Sequence, residues 1–213
     1  AIVSIDAMGT QKKIAKNIRE KKADYVLALK GNQSRLHEDI KLFLSTEIEK
    51  KHQGKPSKIV EDYQYLDKGH GRLEQRRCYI TDQLNWLAQA KQWQDLKTVA
   101  MIESKVTIGE QTRIEQRYFI SSLPANAKQL AEAVRSHWAI ENSLHWVLDV
   151  TLGEDNCRMR KDNAPENMAM VRHIILNLLQ NARKQFKDMS IKRLQKKASW
   201  GEETLNLILT HNF

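Results

Sequence analysis

The first 33 residues constrain the fold more than any other part of the chain, because they read as strand, helix, strand. Ala1-Ile-Val-Ser-Ile5 is a short β-branched run, Lys12 to Lys22 is a helical stretch, and Tyr25-Val-Leu-Ala-Leu29 is a second apolar strand. This is the pattern of a right-handed parallel crossover. The first strand runs directly into Asp6, and an acidic residue at the end of a buried strand is a common catalytic position. An Asp there also serves as a helix cap or turn former. The second strand ends in Lys30-Gly-Asn-Gln33, whose cation and side-chain amides suit a contact to a nucleic-acid backbone and equally suit a plain turn.

A second constraint comes from Arg135 to Asp149. A helix is expected from about Asn126 to Leu152, with Leu130, Val134, Trp138, Leu144, Val147 and Leu148 recurring at intervals of three and four. His137, Glu141, His145 and Asp149 fall at successive intervals of four and form a polar stripe along one side. Trp138 and Trp146 flank that stripe, which argues against full solvation. An acid in such a helix needs a reason to be there. Zinc is a poor one: ligands at i, i+4 and i+8 span about 12 Å of helix rise, too far for one ion to be held by all three. Beyond the helix, Gly153 to Arg158 is a loop with spare carboxylates. Ala164 to Gln185 is then an amphipathic helix entered through Pro165, with Met168, Val171, Ile174, Ile175, Leu178 and Leu179 expected to face inward.

The middle of the chain breaks the alternation of strand and helix. After a helix from Ser34 to about Lys51 comes the polar stretch His52 to Lys58, followed by strand-like segments at Ile59 to Leu66, Arg72 to Thr81, Thr98 to Ile108 and Arg113 to Ser121. The last two are joined by a turn near Gly109, and Leu84 to Trp93 is expected as a short helix. Residues 52–123 therefore read as a β-rich insertion. Within it, Lys68-Gly-His-Gly-Arg72 combines accessible backbone amides with three basic side chains, a composition suited to phosphate. Arg72, Glu74 and Arg76 alternate along one strand face, which suits DNA contact or cross-strand pairing.

Charge narrows the partner class. The chain's 35 Lys and Arg against 26 Asp and Glu give a formal charge of +9, for which nucleic acid is the natural partner. The cations cluster: Lys12, Lys13, Lys16, Arg19, Lys21 and Lys22 crowd one helix, and Arg183, Lys184, Lys187, Lys192, Arg193, Lys196 and Lys197 crowd the C-terminal region. Cys78 and Cys157 have no metal-site spacing and fit a reducing, cytoplasmic setting. No apolar run approaches 18 residues, so no membrane role is expected.

These segments together resemble the catalytic domain of a bacterial insertion-sequence transposase of the DDE class, of the H-repeat-associated type. The carriers are Ile5-Asp-Ala-Met-Gly-Thr-Gln11, Asp24 to Gln33, Lys68 to Arg76, His137 to Asp149 and Asn163-Ala-Pro-Glu-Asn167, five motifs in the expected order over essentially the whole chain. The resemblance implies an α/β, RNase H-like fold, a mixed sheet with flanking helices. It implies three carboxylates that bind Mg2+ or Mn2+, with Asp6 as the second and Glu141 as the third. The implied reaction is DNA strand cleavage and strand transfer at insertion-sequence ends. The implied partners are double-stranded DNA at element ends, target DNA and a second copy in a homodimeric synaptic complex, associated with the nucleoid. DNA contact is expected of Lys30, Asn32, Gln33, His70, Arg72, Arg76, Arg135, His137, Trp138 and Asn142.

The chain also departs from the family pattern. Only five residues precede Asp6, leaving no candidate for the first catalytic Asp, so a fragment of a longer protein is expected. Of the Tyr, Arg, Glu, Lys signature around the third carboxylate, the matching positions read Val134, His137, Glu141 and Leu148. Only the glutamate is kept. The expected organisation is 1–51 as the first part of the catalytic core, 52–123 as the insertion, 124–188 as the Glu-bearing helix and its successor, and 189–213 as a basic helical tail. A catalytically inactive DNA-binding remnant is the competing reading.

Overall fold

The computed structural model describes residues 1–69 and 72–210; the side chains of Asp67, Lys68, Arg72, Glu141 and Asn142 lie outside that description. The chain divides into two compact units, Ala1–His137 and Trp138–Phe213.

The first unit is built on six strands: β1 (Ile2–Ile5), β2 (Asp24–Leu29), β3 (Glu61–Gly69), β4 (Arg72–Thr81), β5 (Thr98–Ile108) and β6 (Gln111–Ser121). They form one sheet in the order β1-β2-β6-β5-β4-β3. The first pair is parallel, as the opening pattern predicts, and all other pairs are antiparallel. The four strands from the 52–123 stretch thus continue the sheet that β1 and β2 begin. A mixed sheet with flanking helices is the α/β arrangement expected, consistent with an RNase H-like fold.

Side chains alternate across a strand, so the register assigns them to two faces. One face carries Tyr25, Leu27, Leu29, Tyr79, Val99, Met101, Tyr118 and Ile120. It packs against Ala15 of α1 (Lys12–Glu20) and against Leu36, Ile40, Leu44 and Ile48 of α2 (Ser34–His52), forming the main core. The i, i+4, i+8 spacing on α2 is the reason a helix with a polar remainder can dock there. The other face carries Ser4, Val26, Ala100, Ile102, Phe119 and Tyr65, and α3 (Ala127–Ile140) meets it. His137 hydrogen-bonds Ser4 on the edge strand β1, and the guanidinium of Arg135 lies 5.5 Å from the ring centre of Tyr65 on the other edge strand, β3. Residues two apart on a helix project on opposite sides, roughly 200° apart. Helix α3 thus contacts both edge strands of the sheet.

Two expectations are corrected here. Residues 84–93 form no α-helix but three successive tight turns, with Leu87 N, Ala90 N and Trp93 N donating to the carbonyls of Leu84, Leu87 and Ala90. That three-residue period turns Leu84, Leu87, Ala90 and Trp93 all toward the core. The helix expected to run unbroken to Leu152 ends as an α-helix at Ile140 and continues as π-helical turns over Glu141–His145 and Val147–Thr151. Ser143 Oγ donates to Ala139 O at 2.5 Å, and so competes for the carbonyl that an α-helical ladder would assign to the Ser143 amide.

The second unit adds α4 (Ala164–Arg183), α5 (Ile191–Trp200) and α6 (Glu202–Thr210). Its core is Val147, Leu148, Leu176, Leu179, Ala182, Ile191, Leu194 and Ile208. The inward face of α4 differs from expectation: Val171, Ile174 and Ile175 are exposed, and Leu176, Leu179 and Ala182 are buried. This helix is apolar on more than one side, so periodicity alone does not select the buried stripe.

Candidate functional site

Asp6 leaves β1 on the α3 face of the sheet and opens a short 3-10 turn, Ala7–Gly9. Its backbone carbonyl accepts from Gly9 N at 3.0 Å, which closes the turn. The carboxylate makes no cap to the turn's amides, so the capping explanation for an Asp at this position does not apply. Instead it is 63% exposed, with Oδ1 3.4 Å from Nε2 of His137. Nδ1 of the same ring lies 3.2 Å from Oγ of Ser4, two residues before Asp6 on the same strand face. His137 thus ties the end of α3 to the end of β1 on both sides of the carboxylate.

The turn after Asp6 is held from below. Thr10, fully buried, donates from Oγ1 to Ala28 O on β2 at 2.6 Å. Nδ2 of Asn32 donates to Ala7 O, and Nε2 of Gln33 donates to Thr10 O at 3.1 Å. Gly9 is required by space, since a Cβ there would stand 2.5 Å from Cγ2 of Ile5. The motifs Ile5 to Gln11 and Lys30 to Gln33, far apart in sequence, are therefore one bracing unit. Met8 at the turn's crest is 89% exposed.

The residues expected to contact DNA are distributed unevenly. Asn32 and Gln33 spend amide N–H groups on this turn. His137 has both ring nitrogens against Ser4 and Asp6. Arg76 donates to Glu74 Oε1 at 2.6 Å and to Tyr65 Oη at 3.3 Å, while Ser104 Oγ donates to the same Glu74 oxygen at 2.8 Å. Burial alone would disfavour the Arg76 charge, but the hydrogen bonds to Tyr65 and Glu74 outweigh it and hold the guanidinium protonated. Arg135 stacks over Tyr65, Trp138 is half-buried, and Lys30 is exposed at the end of β2. His70 lies outside the described residues, as do the side chains of Arg72, Asn142 and Glu141. The backbone of Glu141 begins the first π-helical turn. What the sequence did not disclose is the part played by Ser4 and Thr10. Their only signal was a hydroxyl at the strand end and another in the turn.

Among the described residues no group of three or more His, Cys, Asp and Glu is placed to hold a metal ion. Asp6 presents an exposed carboxylate at the strand end, and hard divalent cations take carboxylate oxygens while keeping several waters. No helix among the described residues is long and apolar enough to cross a membrane.

The family described as "Transposase DDE domain" matches residues 1–178. The chain is 37% identical over 204 residues to "Putative transposase YncI" of Escherichia coli O157:H7, covering 93% of this chain and 50% of that protein. It is 36% identical over 215 residues to "H repeat-associated putative transposase YhhI" of Escherichia coli K12, covering 98% of this chain and 54% of that protein. The chain spans about half the length of the curated relatives it matches. By the extent of these matches, the chain belongs to the DDE-domain transposase family.

Proposed function

We propose that this chain is part of a transposase that cuts and joins DNA strands at insertion-sequence ends, with Asp6 and Glu141 as carboxylates for Mg2+ or Mn2+. The observation that carries the reading is Asp6 itself: an exposed acid at a strand end, unused as a cap, on a turn braced by three side chains and contacted by His137. Such bracing is what a group that must be positioned within a fraction of an ångström requires. A bound divalent ion would supply neutralisation of charge on the reacting phosphate and acidification of the attacking water or hydroxyl. The chain's own part is to hold the carboxylate. Ser4 and His137 fix its approach from the strand and from α3, and Thr10, Asn32 and Gln33 keep its turn from opening. The proposed partners are double-stranded DNA at element ends and target DNA, engaged by a homodimer.

The test uses the full-length protein with a labelled element-end duplex. Asp6→Asn and Glu141→Gln should each abolish metal-dependent strand cleavage while leaving DNA binding intact. Cleavage retained by either variant removes that residue from the site. Salt-sensitive DNA binding by the full-length wild type without metal-dependent cleavage would favour a DNA-binding remnant.

A further inference from the structure

Of the two basic clusters in the sequence, the C-terminal one is the stronger candidate for DNA contact, and the structure shows how its cations differ from those of α1. On α1 (Lys12–Glu20) three of the four cations have partners within the unit: Lys16 pairs with Glu20, Arg19 pairs with Asp24 and Asp95, and Lys12 donates to Gln92, while Lys13 is exposed. On α5 the pattern differs. Ile191 and Leu194 are buried in the second unit's core, which fixes the helix so that Lys192, Arg193, Lys196 and Lys197 all face solvent. The helix contains no acidic residue, and among the described residues none of these four is in an ion pair. Lys197 alone has a side-chain partner, its ammonium 4.9 Å from the ring centre of Phe186. The helix start is secured by Ser190, whose hydroxyl accepts from Arg193 N.

At the other end stands Trp200, 83% exposed. Tryptophan is among the residues most often packed, and one left out at a fixed helix end beside cations is an aromatic plane with no internal use. Arg193, Lys197 and Trp200 follow at i, i+4 and i+7, so they lie along one side of the helix, and Lys192 and Lys196 form a second row beside them. Rows of cations next to an exposed aromatic ring are how proteins track a phosphate backbone while stacking on an unpaired base.

We infer that the solvent face of α5 is a DNA contact, with Lys192, Arg193, Lys196 and Lys197 on backbone phosphates and Trp200 against an unpaired or flanking base. The inference rests on the reading that the chain acts on DNA, but it needs no cleavage and no metal. The probe is a fluorescein-labelled random-sequence DNA, blunt and with a single-stranded overhang, titrated with the 213-residue chain across a salt series. Replacing Lys192 and Lys196 together by Gln should flatten the slope of log affinity against log salt by about 1.8, since each lost phosphate contact removes about 0.9. Between 50 and 200 mM salt the variant would then lose about tenfold less affinity than the wild type.

The double Lys→Arg variant should restore the slope, and Lys16→Gln on α1, whose charge is paired, should leave it unchanged. Trp200→Ala should weaken binding to the overhang DNA about fivefold or more with the slope kept. A wild-type slope retained by the Gln variant overturns the α5 assignment and leaves the DNA reading standing. Absence of binding by the wild type at low salt overturns both. Loss of binding to anionic lipid vesicles in the Gln variant with the DNA slope unaltered would assign the face to a membrane surface instead.

Discussion

Nε2 of His137 stands 3.4 Å from Oδ1 of Asp6, and Nδ1 of the same ring stands 3.2 Å from Oγ of Ser4. One side chain from α3 thereby restrains the acid and the strand that delivers it. His137→Ala should lower the unfolding free energy by about 1–2 kcal/mol, the range for losing a part-buried hydrogen-bonded group, and Ser4→Ala by about 0.5–1 kcal/mol. Because both act through one ring, the double variant should fall short of the sum by several tenths of a kcal/mol. Urea denaturation of the four proteins measures this. Strict additivity would mean that the Ser4–His137 contact contributes nothing.

The amide of Asn32 makes a second, separable claim. It donates to Ala7 O, and a carboxylate placed there would face the same carbonyl with no proton to offer. Asn32→Asp should cost about 1–3 kcal/mol and loosen the turn before anything else. The turn's own reporters are the Gly9 and Thr10 amides, bonded to Asp6 O and Ala7 O at 3.0 and 3.1 Å. Their hydrogen exchange should accelerate in the variant while amides of β5 keep wild-type protection. Unchanged exchange at Gly9 and Thr10 would show that Asn32 does not brace the turn.

What the sequence disclosed and what it withheld follow from the range of the interactions involved. Strands β4 and β5 match their expected limits because period-two alternation and bounding turns are local signals. The parallel pairing of β1 with β2 was legible for the same reason. The two roles of Asn32 and Gln33 were not, since a side-chain amide reads alike whether it faces a phosphate or a carbonyl 22 to 25 residues away. The π-helical turns after Ile140 leave no mark in the sequence beyond a single hydroxyl, that of Ser143, in an otherwise helical run. The face of α4 is not legible in the sequence because both of its sides are apolar and only the positions of α5 and α6 decide between them.

Glu47 sets part of the acid sensitivity of the first unit. Its side chain is 5% exposed, with Oε1 2.6 Å from Lys50 Nζ and Oε2 2.6 Å from Lys58 N. Burial works against the charge, but the hydrogen bonds from Lys50 and from the Lys58 amide outweigh it and hold the carboxyl below its ordinary value of 4.5. A depressed folded value means that the ionised group contributes stability above the unfolded value, and that this contribution is lost as pH falls through the folded one. Glu47→Gln should therefore lower stability by about 1–2 kcal/mol at neutral pH, with the deficit shrinking below about pH 4.5. Urea midpoints measured from pH 7 down to 3 would show the two curves converging. Parallel curves would remove Glu47 from the acid response.

The two cysteines should differ sharply in reactivity. Cys78 lies in β4 at 1% exposure, and burial, with the charges of Glu61 and Asp62 adding to it, pushes its thiol up to about 12. Cys157 is half-exposed, and hydrogen bonding to Arg172, followed by the Met159 backbone, draws its thiol below the ordinary value. Since the thiolate is the reacting species, an aromatic disulfide reagent at neutral pH should modify one thiol per chain rapidly and the second only after denaturation. Cys157→Ser should abolish the fast phase, and Arg172→Gln should slow it by raising the thiol. Two equal fast phases in the native protein would mean that β4 opens readily enough to expose Cys78, in conflict with a strand paired on both sides, by β3 and β5.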